Sequence, residues 1–263
     1  MRARIVGIRG WYGGSSKTLT TPPCKGRWGV KKIGGNMPYA RASRWLDGQL
    51  KKKLFRILLK LEDRRSLAYD AKHGVETAGE VALGDVGVAA QHVGRGNTVY
   101  RVTWGGLVQK SLAQLRIDHA RYSFIDYGSG KGKALFMASD YPFKRIIGLE
   151  YARGLHAVAS ANCRNYRSAA QKCHALEPIL ADVLEYEPPA GPIVCFMCNP
   201  FDQATMRRVF DRWRARHDKG ERDIRILYLN MRSIREMSAV LGQQDWLQPV
   251  AQGMRYVILA PRD

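Results

Sequence analysis

Cysteine, long apolar runs and N-terminal acidic residues are all scarce in this sequence. Its five cysteines among 263 residues are too few for a scaffold held by disulfides, so we expect reduced thiols and a cytoplasmic protein. No apolar run approaches the roughly 20 residues that cross a bilayer, which excludes a membrane-spanning helix. The first residues form no uninterrupted apolar stretch, and a secretory signal is not expected. The length suits one large α/β domain or two small ones.

The basic charge is concentrated in the first part of the chain. Residues 1–60 contain 15 lysines and arginines and one acid, Asp47, whereas the remaining residues contain 28 basic and 22 acidic residues. The net charge of +20 suggests an acidic partner such as a nucleic acid. Because most of the excess precedes residue 60, it says little about the domain that follows.

Residues 1–40 are rich in glycine and proline and lack apolar periodicity, which predicts a basic, disordered tail. A targeting peptide, a nucleic-acid-binding arm, or an extension ahead of a natural start at Met37 are the alternatives. Residues 41–99 predict an N-terminal extension of helix and loop that is a candidate cap over an active site. Within it, residues 70–99 predict loops with at most one short helix.

A helix is expected from Arg41 onward, because apolar residues recur at spacings of three and four. These residues are Leu46, Leu50, Leu54, Ile57, Leu58 and Leu61, and the basic residues among them are Lys51, Lys52, Lys53, Arg56 and Lys60. We expect the helix to pack on the domain with its lysines in water. The alternative is a basic amphipathic helix on a membrane surface or an RNA backbone.

Residues 100–263 predict an α/β domain with a doubly wound, mostly parallel sheet. Short apolar strands alternate there with helix-length segments, and this pattern places helices on both faces of the sheet. The predicted strands are 122–126, 145–150, 178–181, 193–198, 224–229, 246–251 and 254–260. The predicted helices are 107–115, 133–139, 153–168 and 202–216.

An acid and three alternate glycines follow the first of these strands, in Phe124-Ile125-Asp126-Tyr127-Gly128-Ser129-Gly130-Lys131-Gly132. At the carboxyl end of such a strand the chain forms one wall of a ligand crevice, and glycines let a ligand approach the backbone. A dinucleotide fingerprint would need glycine at Lys133, and no Gly-Lys-Ser/Thr of a P-loop follows. A carboxylate at Asp126 repels a pyrophosphate but suits an ammonium group. The ligand is therefore expected to carry a positive charge near Asp126.

This turn is similar to the first motif of class I S-adenosylmethionine-dependent methyltransferases, and the resemblance covers about residues 70–263. It implies a seven-stranded, Rossmann-like three-layer sandwich and S-adenosyl-L-methionine as cofactor. It also implies that Asp126 faces the amino group of the cofactor. The glycine loop, with Gly128, Ser129, Gly130 and Gly132, would lie against its methionine end.

Two further acids end predicted strands. Glu150 lies 24 residues after Asp126, beside the glycine turn, where a carboxylate accepts hydrogen bonds from both ribose hydroxyls. The resemblance assigns it the same role. Asp182 ends the next strand, and the resemblance implies that it accepts a hydrogen bond from the adenine amine; a turn or N-cap residue is the alternative.

The strand 193–198 runs directly into Asn199-Pro200-Phe201. This corner resembles the Asn/Asp-Pro-Pro-Tyr/Phe motif of amino-group methyltransferases, with one proline in place of two and the aromatic residue one place early. We predict these three as the catalytic residues. Asn199 would accept a hydrogen bond from the target nitrogen, Pro200 would aim a backbone carbonyl, and Phe201 would pack against the target.

A nearer resemblance is to the non-SET histone-lysine methyltransferases, which have a similar Gly-Ser-Gly turn. They also carry an upstream Tyr-x-x-Thr segment like Tyr100-Arg101-Val102-Thr103. That resemblance implies Thr103 as a cofactor ligand, with an N-cap as the alternative. The segment His73–Thr77 is a candidate loop over the site.

Together these features predict an S-adenosylmethionine-dependent N-methyltransferase that acts on an amino or amide nitrogen of a macromolecule. A protein side chain such as lysine is the first expectation and RNA or DNA the second. A non-catalytic protein that binds the cofactor or a nucleic acid is the third. No metal is expected, because Cys195 and Cys198 lie within an apolar strand and no second ligand pair has zinc spacing.

Overall fold

The structure is a computed structural model that describes residues 48–86, 99–230 and 238–262. The predicted tail over residues 1–40 lies outside these ranges, as does the beginning of the helix predicted from Arg41. Among the described residues, no helix combines the length and the apolar character needed to cross a membrane.

The first described element, helix α1 (Gly48–His73), continues twelve residues past Leu61, the last apolar residue of the predicted pattern. It is followed by two three-residue strands, β1 (Glu80–Ala82) and β2 (Val99–Arg101), which pair antiparallel as a small ribbon. The prediction of loops with at most one short helix over residues 70–99 was therefore wrong at 70–73, 80–82 and 99, whereas the short 3-10 helix Leu83–Val86 agrees with it. Residues 87–98 of this segment lie outside the described ranges. Three-residue strands hold too few residues to show an alternating pattern, and their pairing depends on residues far apart in the sequence.

The remaining elements are the seven strands of one sheet and the helices that accompany them. Its strands are β3 (Ser123–Tyr127), β4 (Arg145–Glu150), β5 (Leu176–Leu180), β6 (Ile193–Cys198), β7 (Ile224–Leu229), β8 (Leu247–Gln252) and β9 (Tyr256–Pro261). The helices are α2 (Gly105–Leu112), α3 (Lys133–Ser139), α4 (Arg153–Asn165), α5 (Gln203–Asp218) and α6 (Ser238–Leu241). Each predicted strand and helix of this region is present, with ends displaced by a few residues.

The strand order across the sheet is β5-β4-β3-β6-β7-β9-β8, and β9 runs in the direction opposite to the other six strands. The chain builds outward from β3 to β5, then returns to the other side of β3 with β6. This reversal leaves a crevice at the carboxyl ends of β3 and β6, where ligands bind in open α/β sheets. The prediction of a doubly wound, mostly parallel sheet is confirmed.

Apolar side chains cover both faces of the sheet, which explains why its strands read as continuous apolar runs. On β3, Phe124 belongs to one buried cluster with α2 and α3, whereas the adjacent Ile125 belongs to a second cluster with α5. Trp213 of α5 is 1% exposed in that second cluster. Because both faces of the sheet are buried, polar side chains that bind a ligand are expected at the ends of the strands.

Candidate functional site

A cleft that is partly open to solvent lies at the carboxyl ends of β3, β4 and β6. Eight of the predicted site residues line it: Thr103, Asp126, Gly128, Ser129, Gly130, Glu150, Pro200 and Phe201. The structure therefore brings together at one edge residues that are spread over almost 100 positions of the sequence. Gly132, Asp182 and Asn199 are not among the lining residues.

Two buried carboxylates face this one cleft. Asp126 is 3% exposed and Glu150 is 5% exposed. Burial raises the pKa of Asp126 well above its ordinary value, and the charge of Glu150 raises it further. Two acids held close together out of water favour a ligand that brings positive charge.

Glu150 is oriented by the backbone around it. One carboxylate oxygen accepts a hydrogen bond from the Gly130 amide and the other from the Ala152 amide, both at 2.8 Å. These two bonds and a third from the Tyr151 amide lower the pKa of Glu150, but burial outweighs them and raises it. A carboxylate has about four acceptor positions, so at least one remains for a ligand's hydroxyl group.

The backbone conformation and the packing of the turn explain why glycine occupies positions 128, 130 and 132, apart from any role in ligand binding. All three residues have positive φ, at 90°, 54° and 91°. A Cβ on Gly128 would lie 2.8 Å from Pro200, and a Cβ on Gly130 would lie 2.3 Å from the Tyr100 ring. Gly132 is the N-cap of α3. The three glycines are therefore explained by close packing as well as by ligand binding. The two buried acids, Asp126 and Glu150, are what indicate a ligand.

The segment after α1 is fixed by a buried carboxylate. Asp70 is 7% exposed and accepts hydrogen bonds from the Thr77 amide at 2.6 Å, the Thr77 hydroxyl at 2.6 Å and the Ala78 amide at 2.7 Å. The Thr77 carbonyl in turn accepts a hydrogen bond from the Tyr100 hydroxyl at 2.8 Å. Because the Tyr100 ring lies against Gly130, this chain of contacts joins α1 to the glycine turn.

A second set of contacts joins the same segment to the turn. The Asn162 amide group, on α4, accepts from the Glu76 amide at 2.8 Å and donates to the carbonyls of Glu76 and Lys131 at 2.9 Å. The Lys131 ammonium donates to a Glu76 carboxylate oxygen at 2.6 Å. The segment after α1 thus lies against the turn, and residues 74–78 are fixed by hydrogen bonds to it and to the adjacent helices.

Lys133 is a cleft residue that sequence reasoning treated only as a missing glycine. Its side chain is 4% exposed, and its ammonium lies 3.8 Å from an Asp70 oxygen and 3.6 Å from the centre of the Tyr69 ring. Burial lowers the pKa of Lys133 to about 8, although Asp70 and Glu62 oppose that shift. The burial of Lys133 could not be recognised from the sequence, because the residues that surround its ammonium group come from α1.

The Asn-Pro-Phe corner packs on the glycine turn through Pro200. Asn199 has a φ of 47°, a left-handed conformation that asparagine adopts more readily than most residues. Its side-chain oxygen accepts a hydrogen bond from the Tyr228 hydroxyl at 2.9 Å. The predicted acceptor group of Asn199 is therefore oriented by a tyrosine on β7 that the sequence pattern did not single out.

Thr103 and Asp182 occupy different positions relative to the cleft. Thr103 lines it and shares a side-chain hydrogen bond with Cys198, whose pKa burial raises to about 12. Cys198, at the end of β6, is consequently a neutral thiol. Asp182 accepts a hydrogen bond from the Leu184 amide at 2.9 Å, the arrangement of the turn alternative, and its adenine-binding role stays a prediction.

No protein-family model and no curated protein matches this chain. Solved structures do match in fold. The mitomycin 7-O-methyltransferase MmcR is 16% identical, with a TM-score of 0.45, over 59% of this chain and 53% of that one. A predicted N6-adenine-specific DNA methylase from Listeria monocytogenes is 11% identical, with a TM-score of 0.45, over 65% of this chain and 53% of that one.

A third match is aTrm5, solved in complex with tRNALeu, at 12% identity and a TM-score of 0.40 over 59% of this chain and 44% of that one. The matched region thus spans about half the length of these proteins. Similarities of this size do not bear on activity or substrate, and the fold assignment rests on the seven-stranded sheet itself. The sheet has the seven strands and the mostly parallel arrangement that the resemblance to class I methyltransferases implied.

Proposed function

We propose that this protein is an S-adenosylmethionine-dependent methyltransferase that transfers a methyl group to nitrogen. The observation that supports this most is the pair of buried acids, Asp126 and Glu150, at the ends of adjacent parallel strands and facing one cleft. The residues present suit the cofactor, because two carboxylates fit a ligand with an ammonium group, a sulfonium and a ribose.

Four cleft residues have a proposed role toward the cofactor. Asp126 attracts the amino group, and Glu150 accepts from the ribose hydroxyls with the acceptor capacity that its backbone contacts leave. Thr103 and Ser129 contact the amino-acid end, beside the glycine turn. The assignment of Asp182 to the adenine amine rests on the family resemblance alone. When bound, the cofactor supplies an electrophilic methyl group on a good leaving group.

The protein's part in the transfer is mainly positioning and exclusion of water. The attacking nitrogen must be neutral, which for a lysine amine of ordinary pKa about 10.4 requires desolvation. Asn199 is proposed to accept a hydrogen bond from this nitrogen with Phe201 packed against the acceptor. Pro200 fixes the turn between them. No residue is assigned as a strong general base.

A protein side chain is the acceptor that we propose first, on the resemblance to lysine methyltransferases. A nucleic acid is the alternative that the net charge of +20 favours. The excess charge lies mostly before residue 60, whereas the residues that line the cleft all come from position 99 onward, and this favours the protein acceptor.

Binding of S-adenosylhomocysteine, measured by titration calorimetry, tests the cofactor assignment. We expect saturable binding that Asp126→Asn weakens at least about tenfold, because a buried charge pair is lost. Asp211→Asn is the matched control, since Asp211 is exposed on α5, away from the cleft. Equal binding by the Asp126 variant and the wild-type protein would remove the main support for the proposal.

The acceptor class is tested with cell extract and cofactor labelled in its methyl group. Label that protease removes and nuclease leaves supports a protein acceptor. Label that nuclease removes identifies the nucleic-acid alternative, and absence of any transferred label, with the cofactor bound, favours a non-catalytic binding protein.

A further inference from the structure

Helix α1 has two unlike faces. Its inner face packs on the domain: Phe55 contacts Trp104, with ring centres 6.1 Å apart, while Ser66 and Asp70 are buried. The opposite side of its first half holds Leu54, Ile57 and Leu61, which are 46%, 47% and 43% exposed. The contacts of the inner face therefore explain how α1 is held on the domain. They do not explain why three large aliphatic side chains lie on its exposed side.

The three exposed residues form one stripe. They are separated by three and four positions, the spacing that places side chains on the same side of a helix. Single exposed apolar residues are ordinary on a protein surface, but aligned large aliphatic residues are typical of an interaction face. We call Leu54, Ile57 and Leu61 the outer stripe.

The residues around the outer stripe are predominantly basic. The exposed basic residues between positions 53 and 65 of α1 are Lys53, Arg56, Lys60, Arg64 and Arg65. In the same stretch Asp63 is the one exposed acid, because Glu62 is turned inward and 9% exposed. The basic surplus continues in the sequence before α1, since residues 1–47 add ten basic residues and one acid.

We propose that the outer stripe of α1 docks on an anionic lipid surface. Aliphatic side chains flanked by lysine and arginine are the features of a helix that lies in a membrane interface, with its apolar side at the boundary of headgroups and acyl chains. A nucleic acid would use the positive charge but has no partner for three leucine-like side chains.

This proposal is independent of the methyltransferase proposal, because no residue of the outer stripe lines the cleft. It also requires no membrane-spanning segment. Docking through α1 would hold the domain beside the bilayer, because the inner face of α1 keeps its contacts with Trp104 and with the segment that follows α1.

The test uses the full-length protein and co-sedimentation with vesicles of phosphatidylcholine, with and without phosphatidylserine. We expect binding only when phosphatidylserine is present, and weaker binding at high salt. The variant that combines Leu54→Ser, Ile57→Ser and Leu61→Ser should lose about tenfold or more in vesicle affinity, because it removes the aliphatic contacts and no charge.

Leu67→Ser is the matched control. Leu67 is 60% exposed on α1 but lies about 120° around the helix from Leu61. It should leave vesicle binding unchanged. Thermal denaturation of both variants shows that the fold is retained, since all of the substituted side chains are exposed.

Three results would overturn the proposal. The first is equal vesicle binding by the triple variant and the wild-type protein, which would leave charge as the only contribution. The second is an absence of phosphatidylserine binding together with salt-sensitive binding of a single-stranded RNA. The third is an absence of vesicle binding together with self-association, by sedimentation velocity, that the triple variant abolishes.

Discussion

At the scale of single residues, the site depends on a few side chains whose charge or backbone conformation is unusual. Asp126 is a buried carboxyl with a raised pKa, and Asn199 is a non-glycine residue with positive φ. Neither property is visible in the sequence, where Asp126 is one acid among 23. Both follow from the neighbours that the fold supplies.

The raised pKa of Asp126 predicts how cofactor binding depends on pH. Only the ionised carboxyl attracts the ligand's ammonium group, and a raised pKa means that protons compete with the ligand at a higher pH than for an ordinary aspartate. Affinity for S-adenosylhomocysteine should therefore fall as the pH is lowered through the pKa of Asp126. Calorimetric titrations over a pH series measure this.

Asp126→Asn supplies the comparison for that series. Its affinity should be lower and should depend less on pH, because Glu150 is the remaining carboxyl of the pair. An identical pH profile for the two proteins would assign the titration to another group.

Asn199 is predicted to act on the acceptor side of the site. Asn199→Gly keeps a residue that accepts the positive φ and removes only the side chain. We expect turnover to fall by about 10²-fold or more, with the dissociation constant of S-adenosylhomocysteine little changed. Single-turnover rates with the labelled cofactor, beside calorimetry, separate the two quantities.

Tyr228→Phe is the related variant, since it leaves the Asn199 oxygen without its tyrosine donor. It should lower turnover less than Asn199→Gly does. A rise in the cofactor dissociation constant with the single-turnover rate unchanged would contradict the role given to Asn199.

At the scale of secondary-structure elements, the glycine turn depends on contacts from elements distant in sequence. Tyr100 of β2 covers Gly130, and Pro200, two residues after β6, covers Gly128. The turn was predicted correctly from its own residues, but the sequence explained its glycines only by ligand binding. The structure adds that Tyr100 and Pro200 pack against the turn and leave no room for a Cβ.

Gly130→Ala tests this account of the turn. The new methyl group meets the Tyr100 ring, so we expect a loss of stability of roughly 1–3 kcal/mol together with weaker binding of S-adenosylhomocysteine. Gly191→Ala is the control, because Gly191 also has positive φ, at 103°, but has open space where the Cβ would lie. It should lose stability through strain alone.

Urea denaturation and calorimetry of the two variants measure these quantities. Unchanged ligand affinity in Gly130→Ala would show that Tyr100 moves aside without consequence for the site.

The link between α1 and the turn gives a prediction of its own. Thr77→Val keeps the shape of the side chain but removes the hydroxyl that donates to buried Asp70, which should cost roughly 1–3 kcal/mol of stability. Because the Thr77 carbonyl positions Tyr100, affinity for S-adenosylhomocysteine should fall as well.

Thr77→Ser retains the donor and is the matched control for Thr77→Val. It should stay closer to the wild-type protein in both urea denaturation and ligand binding. If the valine variant loses stability but binds the ligand normally, the Asp70 contacts serve the fold and not the cleft.

At the scale of the whole molecule, the sheet and its two apolar faces leave one edge for chemistry. That edge holds residues from β2, β3, β4 and β6 and from the segments that follow them. A ligand bound there contacts several elements at once and none of them in the unfolded chain. It should therefore stabilise the whole fold.

S-adenosylhomocysteine at about 100 times its dissociation constant should add about 2.7 kcal/mol of stability and raise Tm by roughly 5–10 °C. Thermal denaturation with and without the ligand measures the shift. Asp126→Asn should show a smaller shift at the same ligand concentration, and an equal shift would mean that the ligand binds elsewhere.

The sequence by itself determined the order of strands and helices after residue 100, the glycine turn and the acids at the strand ends. These are local features, set by apolar periodicity and by residues within a few positions of one another. The tertiary structure decided the ribbon of β1 and β2, the contacts of Asp70, Asn162 and Lys133, and the orientation of Asn199 by Tyr228. Each of these joins residues whose partners come from another element, and such pairing depends on how the chain folds back on itself.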